Sequence, residues 1–190
     1  MDAEQHASGA MQRVVVVGSS CAGKTTLARS LSQCLHSTHI QLDALHWLPD
    51  WVEREPAEFR ALVGEAVSAE RWIVDGNYSR VRDLTWSRAT DLIWLDYSFA
   101  RVGSQALRRT FRRSWTGEEL YSGNRESLRR ALFSHDSILL WVLTSFRRRR
   151  RQIGAALRAP EFAHLRVHHM RGRAQTEELL RGFARGVGDG

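Results

Sequence analysis

The stretch Arg13-Val14-Val15-Val16-Val17-Gly18-Ser19-Ser20-Cys21-Ala22-Gly23-Lys24-Thr25 decides the fold. Four consecutive valines are β-branched and apolar at every position, the pattern of a strand buried on both faces in a parallel sheet. The next eight residues have the spacing G-x-x-x-x-G-K-T, and Leu27, Leu31, Cys34 and Leu35 follow at helical intervals between 24 and 35. Strand, glycine-rich loop and helix in this order form a phosphate cradle. Glycines let the backbone wrap closely, loop amides and the helix N-terminus supply positive potential, Lys24 reaches the β- and γ-phosphates of ATP, and Thr25 is placed to hold Mg²⁺. The cradle comprises Gly18, Ser19, Ser20, Cys21, Ala22, Gly23, Lys24, Thr25 and Thr26.

Outward from this loop, strands and helices alternate. His39 to Leu42 reads as a second strand ending at Asp43, and Pro56 opens a helix with Phe59, Leu62, Val63, Ala66 and Val67 on one face. Trp72-Ile73-Val74 makes a third strand ending at Asp75-Gly76, Leu92 to Leu95 a fourth ending at Asp96, and 165–170 a fifth before a helix at 175–183. The alternation predicts a parallel α/β sheet with ligands at the carboxyl ends of its strands. A metal beside a phosphate loop needs a second anchor there, and Asp75 is preferred to Asp96 because Gly76 next to it permits close backbone approach.

The chain's 190 residues suit one domain, with 1–12 a flexible tail and 13–186 the folded unit. Hydrophobic residues make up 43% and charged residues 26%, an ordinary globular composition. No apolar run reaches the roughly 18 residues that span a bilayer, and the first residues carry no apolar leader. A soluble protein with no membrane partner is expected, and two sparse cysteines, Cys21 and Cys34, read as reduced thiols in a cytoplasm. The net charge of +7 favours an anionic partner. Among 28 basic residues Lys24 is the only lysine, which marks a position where a compact ammonium is required.

From 101 to 151 the pattern is helical and arginine-rich, broken by a polar segment at 116–124. Arg108 with Arg112 and Arg109 with Arg113 form a cationic stripe, and Arg147 to Arg151 is a second run. Arginines on a closing element neutralise the charge that phosphoryl transfer spreads over equatorial oxygens, so 101–146 reads as a lid and Arg108, Arg109 and Arg147 as its phosphate contacts. The same patch offers a different reading, a nucleotide-switched regulator that binds nucleic acid. Beyond the second strand, Asp43, His46 and Trp47 outline an acceptor pocket within 43–70, with Asp43 as base. His168 and His169 show no partner at metal-ligand spacing and are read as structural.

Leu42-Asp43-Ala44-Leu45-His46-Trp47-Leu48-Pro49, Trp51-Val52-Glu53-Arg54, Phe59-Arg60 and Trp72-Ile73-Val74-Asp75-Gly76-Asn77-Tyr78-Ser79, taken with the loop, carry a resemblance. The chain resembles the adenylate-kinase-like P-loop proteins of the FlaR type, labelled DNA topology modulation proteins, most strongly over 13–113. The resemblance implies a three-layer nucleoside-monophosphate-kinase fold, a five-stranded parallel sheet with a helical lid. It implies Mg²⁺-dependent transfer of the ATP γ-phosphate to a small acceptor, a nucleotide or nucleoside-like molecule, and adds Asn77 and Tyr78 to the acceptor side. Asp75-Gly76 resembles the Asp-Gly that follows the third strand in adenylate kinases, and Arg108-Arg109 the basic pair leading into their lid. Cys21 stands where that family usually has glycine, and Tyr97-Ser98-Phe99 where a proline-arginine pair is usual. Asp43 shortly before Leu45-His46 is also similar to gluconate kinase, which leaves a hydroxyl acceptor such as a sugar acid as an alternative.

Overall fold

A computed structural model describes residues 11–116 and 138–186. Five strands, β1 (Arg13–Gly18), β2 (Thr38–Gln41), β3 (Trp72–Asp75), β4 (Asp91–Leu95) and β5 (Arg166–Met170), make one parallel sheet in the order β2-β3-β1-β4-β5. The valine run is its central strand. Val15 lies beside Val74 of β3 and Leu92 of β4, so β1 is paired on both edges and covered on both faces.

Seven helices accompany the sheet among the described residues: α1 (Lys24–Leu35), α2 (Leu42–His46), α3 (Pro56–Ala66), α4 (Arg82–Thr85), α5 (Phe99–Thr116), α6 (Ile138–Ala156) and α7 (Arg173–Gly186). The period-2 alternation of β1 divides the core between the two faces. Val14 and Val16 pack with Leu27 and Leu31 of α1 and Val102 and Ala106 of α5. Val15 and Val17 pack with Phe59 and Val63 of α3 and Ile153 of α6. All four valines are essentially sealed from water, each worth about 1.5–3 kcal/mol by burial. The three-layer α/β architecture expected from the sequence is therefore present.

Three boundaries carry information about the site. Glu55 caps α3 by accepting hydrogen bonds from the amides of Ala57 (2.7 Å) and Glu58 (2.9 Å), with Pro56 at the first helical position. Helix α1 has no such side-chain cap: Gly23 precedes it in a left-handed conformation (φ 92°), leaving its first amides to the loop. The second strand ends one residue earlier than expected, at Gln41, so Asp43 sits in the first turn of the short helix α2 rather than at a strand end. Of the segment expected to form the lid, α5 and the start of α6 are described, while 117–137, which holds the polar break at Gly117 and Gly123, lies outside the described residues.

Candidate active site

The carboxyl ends of β1, β3 and β4 meet at the phosphate loop. Gly18 ends β1 with φ 150°, and a Cβ there would lie 2.6 Å from the carbonyl oxygen of Leu95 at the end of β4, so only glycine lets the two strands close at this point. Cys21 adopts φ 60°, the left-handed region that suits glycine, which explains physically why glycine is the usual occupant. The side chain of Asn77 clamps the first loop residue: its Oδ1 accepts from the Gly18 amide (3.2 Å) while its Nδ2 donates to the Gly18 carbonyl. Arg109 of α5 reaches the loop from the other side, its Nη1 lying 3.8 Å from Cys21 Sγ.

Lys24 arches back over the loop and donates to the carbonyls of Gly18 (3.2 Å) and Ser19 (3.0 Å). Burial lowers the pKa of its ammonium from the ordinary lysine value, and the carboxylates of Asp43 and Asp75 pull it back up. The only lysine thus stands within electrostatic reach of two acidic groups, one in the first turn of α2 and one at the end of β3.

Asp75 is 4% exposed, and its Oδ2 is buried with no hydrogen-bond partner; Oδ1 has only the more distant His39 Nε2 at 3.7 Å. A buried carboxylate without hydrogen bonds calls for a cation. Among the described residues no three His, Cys, Asp or Glu side chains cluster to make a protein-only metal cage. One carboxylate beside a phosphate loop fits Mg²⁺, which keeps waters and shares its coordination with substrate phosphates. Asp96, the alternative anchor, is already committed: Arg150 Nε lies 2.9 Å and His169 Nε2 2.8 Å from its two oxygens.

On the other side of Lys24, Tyr78 donates its hydroxyl to Asp43 Oδ1 at 2.6 Å. A cleft opens beside this pair, between the sheet, α4 and α6. Its walls include Leu42, Asn77, Tyr78, Arg82, Trp86 and Arg149. Asn77 and Tyr78, expected on the acceptor side, both line this cleft. His46 and Trp47 do not: His46 is buried behind Tyr78, with ring centroids 4.6 Å apart, and meets Trp47 and Phe59 edge-on at 4.8 and 5.0 Å. Burial lowers the His46 pKa below the ordinary histidine value, against the raising influence of Glu53 and Asp43.

The arginine of the second run that enters the site is Arg149, not Arg147. Arg149 lines the cleft and interacts electrostatically with Tyr78 and Asp43, and burial lowers its pKa, whereas Arg147 is exposed. A signal for this existed in the sequence: Arg149 lies three residues after Phe146 and four before Ile153, two large apolar side chains that are buried on α6. Arg82 was also missed, though it lies four residues before the buried Trp86. Arg108 is exposed on α5, and Thr26 is exposed on α1, while Thr25 is half-buried at the loop. His168 and His169 pair with Asp91 and Asp96 at 2.9 and 2.8 Å, which gives them carboxylate partners in the sheet.

A shikimate kinase from Acinetobacter baumannii, solved in complex with shikimate, superposes with a TM-score of 0.55 over 94% of this chain and 93% of its own, at 15% identity. The chain has a shikimate-kinase fold. Shikimate kinases from Bacteroides thetaiotaomicron (TM-score 0.54, 13% identity) and Aquifex aeolicus (0.51, 15%) superpose over 94% of this chain and 99% of their own. No family model and no curated protein matches the sequence. The P-loop α/β architecture implied by the loop is thereby shown, and no described helix is long and apolar enough to cross a membrane.

Proposed function

We propose that this protein is a P-loop kinase that transfers the γ-phosphoryl group of ATP to a small acceptor seated in the cleft beside Asp43. The observation that carries the reading is the electrostatic convergence of Lys24, Asp43, Asp75 and Arg149 between an open helix N-terminus and a cleft walled by Asn77, Tyr78 and Arg149. The fold neighbours, shikimate kinases with one bound to shikimate, support a small-molecule acceptor. The FlaR-like segments around Asp43 and Asp75 lie within this same site, which supports a place for the chain near that subgroup.

Each residue has a chemical task. The loop amides and Lys24 hold the β- and γ-phosphates and stabilise the charge that grows on them. Thr25 and Asp75 would hold Mg²⁺, which supplies charge neutralisation to the phosphates when bound. Tyr78 fixes one oxygen of Asp43, leaving the other to orient a nucleophile. Arg109 and Arg149 approach from α5 and α6, so closure of these helices would bring cationic charge to the transferring group and expel water.

A specific observation favours the hydroxyl acceptor over a nucleoside monophosphate. Asp43 lies within electrostatic reach of Lys24 and is held by Tyr78 of the cleft wall, a position where a carboxylate would repel an incoming phosphate but accept the proton of a hydroxyl. The acceptor O–H and the β–γ bridging P–O bond break, the new ester O–P bond forms, ADP leaves, and the proton passes to Asp43. The nucleic-acid reading is weaker, because two of the five arginines in the second run are engaged inward, Arg149 in the cleft and Arg150 on Asp96.

The test is ADP release with ATP and Mg²⁺, alone and with nucleoside monophosphates, nucleosides or sugar acids. Stimulation by a hydroxyl acceptor that collapses in Asp43→Asn supports the reading. Stimulation by a monophosphate that survives Asp43→Asn moves the acceptor back to the nucleotide class. Duplex DNA binding with a steep salt dependence and no stimulated turnover overturns the kinase in favour of the regulator.

A further inference from the structure

One buried histidine beside the site has no task in the proposed phosphoryl transfer. His39 stands on β2 next to Ile73 of β3, as Gln41 stands next to Asp75. Residues paired across a sheet share a face, so His39 and Asp75 both lie on the face where Ile73 packs with Leu27 and Leu31 of α1. From two positions back along β2, the imidazole reaches toward the carboxyl end of β3. Its Nε2 stops 3.7 Å from Asp75 Oδ1, and the two side chains are only 11% and 6% exposed.

Both groups have lost water without gaining a partner. His39 Nε2 and Asp75 Oδ2 are each buried with no hydrogen bond, and the separation of Nε2 from Oδ1 exceeds the roughly 2.7–3.2 Å of such a bond. As core packing the arrangement is unfavourable, since an apolar side chain on this face would be buried without stranding a polar atom. It becomes favourable once a cation occupies Oδ2. The carboxylate is then held from one side, and a shift of about 0.5–1 Å lets the Nε2–H donate to Oδ1 from the other. Beside an anion the ring proton belongs on Nε2, the tautomer that donates. Lys24 supplies the reason for such a brace. Its ammonium is within electrostatic reach of the same carboxylate, so an Asp75 side chain free to rotate would divide between the lysine and the cation.

We propose that His39 is a positioning residue for the divalent cation: by holding Oδ1 of Asp75 it presents Oδ2 to the metal of a metal–nucleotide complex. This deepens the kinase reading and rests on it for the place of the cation at Asp75. In this role His39 touches neither the metal nor the nucleotide and acts only through the carboxylate. Its removal therefore weakens metal binding while leaving the binding of metal-free nucleotide as it was.

Mn²⁺ serves as the probe, because electron paramagnetic resonance tells its free and bound forms apart without any turnover. It is titrated into the ADP-loaded wild type, His39→Leu, His39→Gln, Asp75→Asn and the His39→Leu/Asp75→Asn double variant, with ADP affinity in EDTA and urea unfolding measured for each. The expected result is Mn²⁺ binding weaker by about tenfold or more in His39→Leu, the scale for losing an outer partner of a metal ligand. His39→Gln, whose amide N–H reaches about as far as Nε2, should stay within about threefold of wild type. ADP affinity in EDTA should not change, and His39→Leu should unfold at no lower urea than wild type, because a stranded polar atom has been removed. A histidine that only packs would give the reverse, a less stable protein with the same Mn²⁺ affinity. In the double variant His39→Leu should weaken Mn²⁺ no further than Asp75→Asn does alone. Unchanged affinity in folded His39→Leu, an equal loss in His39→Gln, a further loss in the double variant, or a nitrogen ligand in the spin-echo spectrum of wild-type Mn²⁺ overturns the positioning role. If His39→Leu does not fold, His39→Asn, which keeps an amide but falls short of Asp75, is read in its place. Mn²⁺ affinity that depends on Asp75 but not on His39 would remove this inference and keep the metal anchor of the kinase. Dependence on both residues, with no phosphorylated product from any acceptor, would keep the brace and remove the kinase.

Discussion

Replacing Asp75 by Asn separates function from stability in a way that Asp96→Asn reverses. Asp75 is buried without a hydrogen bond to either oxygen, so the amide loses no protein partner and folding stability should stay within about 1 kcal/mol of wild type. The negative charge beside Lys24 disappears, however, and with it the carboxylate proposed to hold Mg²⁺. Removal of such a preorganised group costs on the order of 10² to 10⁴ in rate, or about 2.7–5.4 kcal/mol of barrier. Asp96→Asn has the opposite signature. It breaks contacts with Arg150 and His169, and because Arg150 is 53% exposed, solvent screening holds the loss to about 1–2 kcal/mol of stability. Its effect on rate should stay below about tenfold. The assay is Mg²⁺-titrated ATP turnover with an active acceptor, paired with urea unfolding of each variant. An Asp75→Asn protein that keeps more than a tenth of wild-type turnover, while Asp96→Asn loses it under matched folding, would refute the assignment and move the metal to the fourth strand.

Lys24→Arg should lose activity nearly as fully as Lys24→Ala, because the longer planar fork cannot arch onto the Gly18 and Ser19 carbonyls; retention of most turnover in steady-state assays would remove the point-charge role. Gly76→Ala places a Cβ 2.8 Å from Leu42 Cβ at φ 142°, and should cost about 2–3 kcal/mol, read as a fall in melting temperature. His46 titrates below its ordinary value in the folded protein, so the unfolded chain takes up the proton first. Its contribution is complete above about pH 6.5 and is lost as pH falls from there toward the lowered folded value. Urea midpoints should therefore decline between pH 7 and 5, less steeply in His46→Phe, and an equal decline in both proteins would contradict the assignment.

Much of the fold was legible because the signals are local. The valine run, the glycine spacing and the alternation of short apolar strands with amphipathic helices each fit within a dozen residues, and the sheet follows from them. Asp75 was legible for the same reason, as a strand-ending acid next to glycine. What the sequence obscured is rotation. Five consecutive arginines look alike until the phase of α6 is fixed by Phe146 and Ile153, and that phase turns Arg149 inward and leaves Arg147 exposed. The same holds at the acceptor side, where a histidine and a tryptophan suggest a pocket wall. Because β2 stops at Gln41 and α2 turns the chain, Tyr78 comes between His46 and the cleft, and the pair becomes packing. Arg82 escaped notice since its partner is an aromatic ring four residues on rather than an acid.

Transfer of a labelled γ-phosphoryl group tests the central claim most directly. The protein is incubated with ATP carrying ¹⁸O in the γ-phosphate, Mg²⁺ and the acceptor panel, and products are read by mass. The account predicts the label in a phosphorylated acceptor, with Lys24→Ala and Asp43→Asn each abolishing its appearance. Label found only in inorganic phosphate, at a rate no acceptor changes, would contradict it.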